Sequence, residues 1–390
     1  MTNGMAPLAD TRPLIAHVVF RFDYGGLENG VANLINGLQE DSFRHAVVAL
    51  TTVEGLRRRI ARTDVAFHSL HKRPGKDPGA YLRLYRLLRS LRPAIVHTRN
   101  LGTIEGAVIG RLAGVPYRIH GEHGWDVTDP DGKRPRYRAL RRFVNPSIDR
   151  FVTVSHELER WLTSTVGIPA AKIQRICNGV DTDKFRPRAG ASRRLLPLAQ
   201  FPADAIVVGT VSRFSAIKDP LNLVRAFVEG RKAPAGERLR LAMIGDGELR
   251  HSAEALLREA GIADAAWLPG SRDDVAELMR EMDIFVLGSM REGISNTILE
   301  AMATGLPVIA TATGGNAELV EHGVTGCLVP PGDALAVANA LGDYVRDGEL
   351  RAAHGRAGRE RAVRDFSLQR MLAEYGALYG QRREARREVA

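Results

Sequence analysis

Cysteine is almost missing from this chain. Cys177 and Cys327 are the only two in 390 residues, and neither has the spacing of a metal-ligand pair. That excludes a disulfide framework and leaves two inert thiols in a reducing cytoplasm as the expectation. Aromatic residues make up only 6% of the chain. That is too few for the basic, aromatic-rich face on which single-stranded nucleic acid stacks, so no nucleic-acid partner is expected. No run approaches the ~18 apolar residues of a membrane-spanning helix. Met1–Arg12 is polar, without the apolar core of a secretory signal, and reads as a frayed start.

What the chain does have is length, glycine and an uneven charge. At 390 residues it exceeds the size at which one core keeps growing, so two domains are expected. Its 39 glycines suit a fold with many tight turns between strands and helices. The first half carries the whole net charge of +10. From Met1 to Lys184, 28 Lys and Arg stand against 18 Asp and Glu; from Phe185 onward the balance is 27 to 27. A basic half beside a neutral one suggests that one domain meets an anionic partner, such as a membrane surface or a lipid pyrophosphate.

Apolar runs of strand length alternate with helix-periodic segments. In the first half the strands are Ile15–Phe20, Ala46–Leu50, Val65–Leu70, Ala94–His97, Tyr117–Ile119, Phe151–Val154 and Lys172–Cys177. In the second they are Ile206–Val211, Leu239–Ile244, Ala266–Leu268, Ile284–Leu287 and Val308–Ala310. The alternation predicts an α/β protein of two doubly wound parallel sheets, each covered on both faces. Pro187, Gly190, Pro197 and Pro202 interrupt it. The expected organisation is a first domain over 1–185, a junction and hinge over 186–204, a second domain over 205–366 and a terminal helix over 367–390. That helix pattern runs from Leu368 to about Val389, and its apolar members, including Met371, Tyr375 and Tyr379, must pack on something.

The stretch Arg291–Pro307, REGISNTILEAMATGLP, has readable mechanics. It follows a strand; Ser295 or Asn296 is a good helix N-cap, Gly305 ends the helix and Pro307 opens the next strand. Loops at the carboxyl ends of strands are where ligands bind in an open α/β sheet, and the free N–H groups of a helix start favour an anion. Glu292 and Glu300 flank that helix end too far apart for an acid/base dyad. They suit the two ends of an extended ligand, as acceptors for sugar or ribose hydroxyls. GTVSRFSAIKDP places two cations, Arg213 and Lys218, in another loop after a strand, where they suit a pyrophosphate leaving group.

REGISNTILEAMATGLPVIAT resembles the Glu-x7-Glu signature of the retaining GT-B glycosyltransferases, family 4 in particular, and the likeness runs from Tyr24 to about Tyr379. The resemblance implies two Rossmann-like domains facing across a cleft, with the terminal helix crossing back to the first. It implies that Glu292 contacts the donor sugar and Glu300 the ribose. The backbone of Gly293, Ile294, Ser295, Asn296 and Thr297 would hold sugar and diphosphate, while Arg213 and Lys218 neutralise the leaving group. IGDGE, with Gly245, resembles the family's glycine turn. LPGSRDDV, with Arg272, resembles the loop that cups the base. In the first domain DYGGLEN places Gly25 and Gly26 near the donor phosphate and Glu28 toward the acceptor. HGEHGWD places His123 beside the donor sugar, with His120 structural, and HTRN places Arg99 and Asn100 toward the acceptor.

Asp181 and Asp183 imitate a metal-binding Asp-x-Asp pair but read as turn residues. The resemblance implies no metal and no cofactor beyond a UDP- or GDP-linked sugar as co-substrate. PLIAHVVFRFDYGGLENGVANLINGL is similar to transferases of bacterial exopolysaccharide systems. That implies a polyprenyl-linked glycan acceptor and a cytoplasmic enzyme at the inner face of the membrane. KRPRYRALRRFV, Lys133–Val144, is the densest basic cluster, either a solvated helix or a contact with an anionic membrane surface; its expected apolar side is Tyr137, Leu140, Phe143 and Val144. Two other classes are weighed: a nucleotide-sugar epimerase of similar fold, which would need an acid/base set, and a non-catalytic glycan-binding relic, which would have lost the Glu or the Arg/Lys positions.

Overall fold

In the computed structural model residues 10–23, 25–126, 128–129, 131–188, 190 and 201–381 are described. Leu14–Val19 is buried at all six positions, as a strand covered on both faces must be. It is β1, an interior strand of a seven-stranded parallel sheet. The others are β2 (Arg44–Ala49), β3 (Ala66–Ser69), β4 (Ile95–Arg99), β5 (Tyr117–Glu122), β6 (Arg150–Thr153) and β7 (Ile173–Arg175), in spatial order β3-β2-β1-β4-β5-β6-β7. The second sheet repeats this plan with six parallel strands. They are β8 (Ile206–Val211), β9 (Leu239–Ile244), β10 (Ala266–Gly270), β11 (Ile284–Leu287), β12 (Val308–Thr311) and β13 (Gly326–Val329), ordered β10-β9-β8-β11-β12-β13. In each sheet the order reverses at one place, between β1 and β4 and between β8 and β11. The loops leaving those strands are where a doubly wound sheet opens a crevice.

Helices cross between the strands, and the sequence starts them locally. Asp77 accepts from Ala80 N ahead of Pro78–Leu91, Asp219 from Asn222 N ahead of Pro220–Arg231, and Asp333 from Ala336 N ahead of Ala334–Arg346. Each such cap is worth about 1 kcal/mol. Proline follows the first two at the start of the helix, where its missing N–H costs nothing.

The chain forms two compact units. One takes residues 1–153, 158–176 and 372–390; the other takes 154–157 and 177–371. The expected boundary at 186–204 therefore moves. Residues 177–185 group with the second unit, tied there by Val180 N to Phe366 O (2.9 Å) and Leu368 N to Val180 O (2.8 Å). Of the expected junction, residue 189 and residues 191–200 lie outside the described residues. The terminal helix spans Leu368–Gly380, and its extension toward Val389 also lies outside them. From Leu372 onward it belongs to the first unit, where Leu372 packs against Gly37 and Tyr379 against Phe43. Among the described residues no helix is long and apolar enough to cross a membrane.

Candidate active site

The second unit gathers charge at its switch point. Lys218, in the loop after β8, forms an ion pair with Glu292, in the loop after β11. Ser289 Oγ donates to the same carboxylate oxygen at 2.6 Å. Met290 N donates to Ile217 O at 2.8 Å, fastening one loop to the other. The side chains of Lys218 and Glu292 are 21% and 9% exposed, so the pair is partly desolvated. Arg213 is exposed, and no carboxylate partners it among the described residues. The cations expected to meet a diphosphate thus differ: one is matched by a carboxylate and one is not.

The helix Asn296–Thr304 starts as its sequence predicts. Ser295 is the N-cap, its Oγ accepting from Ile298 N at 3.3 Å, and Gly305 closes the other end at φ 81°. The side chains of Ile294 and Ser295 are buried. Asn296 Oδ1 accepts from Asn178 Nδ2 at 2.8 Å. Glu300 is half-buried on the same helix. Behind this loop runs a second one the sequence reading passed over, Ala312–Asn316. Gly315 N donates to Gly293 O at 2.9 Å, and a Cβ on Gly314 would overlap the Glu292 carbonyl. Thr311 Oγ1 holds Ser289 O at 2.6 Å, and Thr313 Oγ1 holds Met290 O at 3.1 Å. The signal for this brace was present as the Gly-Gly dipeptide directly after a strand; Asn178 had no local signal.

Two expected donor residues have other work in the structure. Gly245, at φ 136°, lies so close to the Ser212 carbonyl that a Cβ would collide with it. Its neighbour Asp246 accepts from Phe214 N at 2.9 Å. The glycine turn therefore clamps the Arg213 loop by backbone contact. Arg272 forks onto Asp274 at 2.8 and 2.7 Å. It follows β10, three strands from β11 in the sheet order.

In the first unit Gly25 is the N-cap of the helix Gly26–Gly37, extended at φ −168°. Glu28, expected to face an acceptor, instead folds its carboxyl over Gly25, where a Cβ on residue 25 would strike it. Asn100, at φ 57°, accepts from His123 N at 2.8 Å through its side chain and donates its own N–H to Gly121 O at 2.7 Å. It positions His123. Arg99 is corrected outright. β4 continues past His97 and is buried at all five positions, so Arg99 lies within the covered sheet and is 2% exposed. It cannot reach an acceptor.

His123 keeps a half-buried ring whose Nε2 has no partner among the described residues. Burial, then the nearby Arg99 charge, pushes its pKa down to about 3, so it is neutral at physiological pH. His120 is structural as expected. It is fully buried, with Thr98 Oγ1 at 2.8 Å and Glu122 at 3.3 Å. Burial opposes ionisation of Glu122, but Arg141, 2.6 Å away, and His120 hold its carboxyl at about 2. Arg141 also lies over the Trp161 ring. The helix Pro135–Val144 is thus anchored through Arg141 and through Arg142, which donates to Val166 O at 2.5 Å and Thr165 O at 3.0 Å. Its expected apolar side is only partly right: Val144 is buried, but Phe143 is 78% exposed. Asp181 accepts from Asp183 N and Lys184 N as a turn residue. Among the described residues no three His, Cys, Asp or Glu side chains gather as metal ligands.

Two parallel sheets with the same strand order, and a cation–carboxylate site at a switch point, define a glycosyltransferase of the GT-B fold. Residues 24–184 match the family model Glycosyltransferase Family 4, and residues 205–347 match Glycosyl transferases group 1. The chain belongs to the family 4-like glycosyltransferases. It is 29% identical over 311 residues to the UDP-Gal:alpha-D-GlcNAc-diphosphoundecaprenol alpha-1,3-galactosyltransferase of Escherichia coli, covering 78% of this chain and 79% of that protein. It is 28% identical over 310 residues to the putative glycosyltransferase EpsD of Bacillus subtilis, covering 77% and 79%. Its fold is similar to that of Anabaena Alr3699/HepE, solved in complex with UDP and glucose: TM-score 0.80 at 19% identity, covering 95% of this chain and all of the other.

Proposed function

We propose that this enzyme moves a sugar from a nucleoside diphosphate sugar to a lipid-linked glycan, with retention at the anomeric carbon and without a metal, in the making of a cell-surface polysaccharide. The observation that carries this is the meeting of Lys218, Glu292 and Ser289 beside the N-terminus of the helix Asn296–Thr304. The bond from the anomeric carbon to the diphosphate oxygen breaks. Arg213, Lys218 and the helix N–H groups take up the charge on the leaving diphosphate. The acceptor hydroxyl attacks the face being vacated and its proton passes to the departing phosphate oxygen. Glu292 orients the sugar, and Glu300 the ribose.

Support for the donor class comes from the Anabaena neighbour bound to UDP and glucose. Support for the acceptor class comes from the diphosphoundecaprenol named for the E. coli relative, together with the basic first half. The exposed Phe143 beside Arg142 and Arg138 suits a peripheral contact with anionic headgroups. The test is a thermal-shift panel of UDP-galactose, UDP-N-acetylglucosamine and GDP-mannose. It is followed by transfer to an N-acetylglucosaminyl diphosphoryl lipid in EDTA, with the product anomer read by NMR. Stabilisation by one donor and an α-linked product are expected. No stabilisation and no nucleoside diphosphate release would overturn the proposal.

A further inference from the structure

A buried guanidinium with no carboxylate partner among the described residues organises four histidines in the first unit. Arg99 NH2 lies 3.2 Å from His17 Nδ1 and 3.2 Å from His97 Nδ1. His17 Nε2 lies 3.0 Å from His45 Nδ1. Tyr379 OH, on the terminal helix, lies 2.9 Å from His97 Nδ1. All five groups are buried: His17, His97, His45, Arg99 and Tyr379 are at most 2% exposed.

Chemistry fixes the direction of every bond in this chain. A guanidinium only donates, so His17 and His97 both accept at Nδ1. A neutral ring that accepts at one nitrogen carries its proton on the other. His17 therefore donates from Nε2 to His45, and His97 carries its proton on Nε2. That N–H has no partner among the described residues, and neither has Nε2 of His123. The two atoms converge on one spot. A Cβ on Gly121 would lie 2.5 Å from His123 Nε2 and 3.3 Å from His97 Nε2. Only glycine leaves that space open.

We infer that Arg99 and Tyr379 are positioning residues for His123. By occupying His97 Nδ1 they make His97 present an N–H toward His123 Nε2, which places the His123 proton on Nδ1. A water in the space above Gly121 would transmit the same direction, because it accepts from His97 and donates onward. His123 then offers a fixed N–H, not a lone pair, to an oxygen of its ligand. Under the proposed function, on which this last step rests, that ligand oxygen is a hydroxyl of the donor sugar. The groups facing His123 are Arg99 and His97 from β4 and His120 and Glu122 from β5, with Arg141 behind Glu122. Burial and Arg99 hold His17 and His97 well below the ordinary histidine range, so the rings stay neutral and the tautomers defined.

Long-range proton–nitrogen NMR of the 15N-histidine protein, free of ligand at pH 7.5, reads each tautomer directly. Assignments come from single His→Gln variants. Protons on Nε2 of His17, His45 and His97, and on Nδ1 of His123, are expected. Tyr379→Phe and Arg99→Met are expected to give His123 a mixture of tautomers. They should lower kcat about tenfold, the worth of one well-placed hydrogen bond, with the KM for donor little changed; Arg99→Lys restores the tautomer. A proton on Nδ1 of His97 in the wild type overturns the inference whether or not any variant folds. So does a His123 tautomer indifferent to both substitutions. If the tautomers stand as expected but no nucleotide sugar binds, the proposed function fails and the relay does not.

Discussion

Lys218 has two anions to choose between. In the structure its partner is Glu292, held in turn by Ser289; in the proposed complex it is the diphosphate. The pair lies between the exposed and the buried limits, at 21% and 9% side-chain exposure, so it is worth about 1–2 kcal/mol. Glu292→Gln keeps the shape and the bond from Ser289 but removes the competing charge. Returning about 1 kcal/mol to the incoming anion tightens UDP about fivefold. Lys218→Gln removes a charge-assisted bond of about 1.5–3 kcal/mol and weakens UDP roughly 10- to 100-fold. Both substitutions are expected to lower turnover of the complete donor by about 10²–10³, the usual loss for one such group. Calorimetric titration with UDP separates the two variants because the expected shifts have opposite signs. If Glu292→Gln weakened UDP as much as Lys218→Gln does, Glu292 would be holding Lys218 in place for the phosphate, and the competition would be refuted.

Gly314→Ala drives a Cβ into the Glu292 carbonyl at a backbone of φ 53°. It is expected to cost about 1–3 kcal/mol of stability and to weaken UDP, while Gly323→Ala, with open space around it, should lose stability without affecting UDP; equal UDP affinity in the two refutes the brace. His17, His45, His97 and His123 all have pKa values below those of unfolded histidine, mainly through burial, with His45 and His123 near 3. Below about pH 6.5 the unfolded chain binds more protons, so their stability is full above that pH and falls as pH drops, by up to ~1.4 kcal/mol per pH unit for each histidine. Urea midpoints at pH 7.5 and 5.5 check this, and a flat profile refutes it. Phe143→Asp should reduce sedimentation with anionic vesicles and leave UDP affinity unchanged; undiminished vesicle binding would remove this helix from the membrane contact.

The strand, turn and helix over Ile284–Gly305 were legible because their cues are local. A strand, a serine N-cap, a helix and a glycine stop follow one another within Ile284–Gly305, and the structure shows each in place. What stayed hidden depended on which loops the sheet order brings together. Lys218 and Glu292 are 74 residues apart, and only the pairing of β8 with β11 joins them. Asn178 reaches Asn296 across 118 residues. Arg99 was misplaced for a different reason: ending the strand at His97 left it in the following loop, whereas β4 carries it into the buried sheet. Carrying the strand two residues further puts Ile95, His97 and Arg99 on one face.

The hydroxyl that closes the His97 network belongs to residue 379, which follows the whole second unit in chain order. During vectorial synthesis the whole second unit leaves the ribosome before Tyr379 does. The first unit, although begun first, is therefore completed only after the second has emerged, with Arg99 and His97 waiting for a partner that follows it in the chain. Truncation just ahead of Leu372 would strike the core of the first unit while leaving that of the second whole.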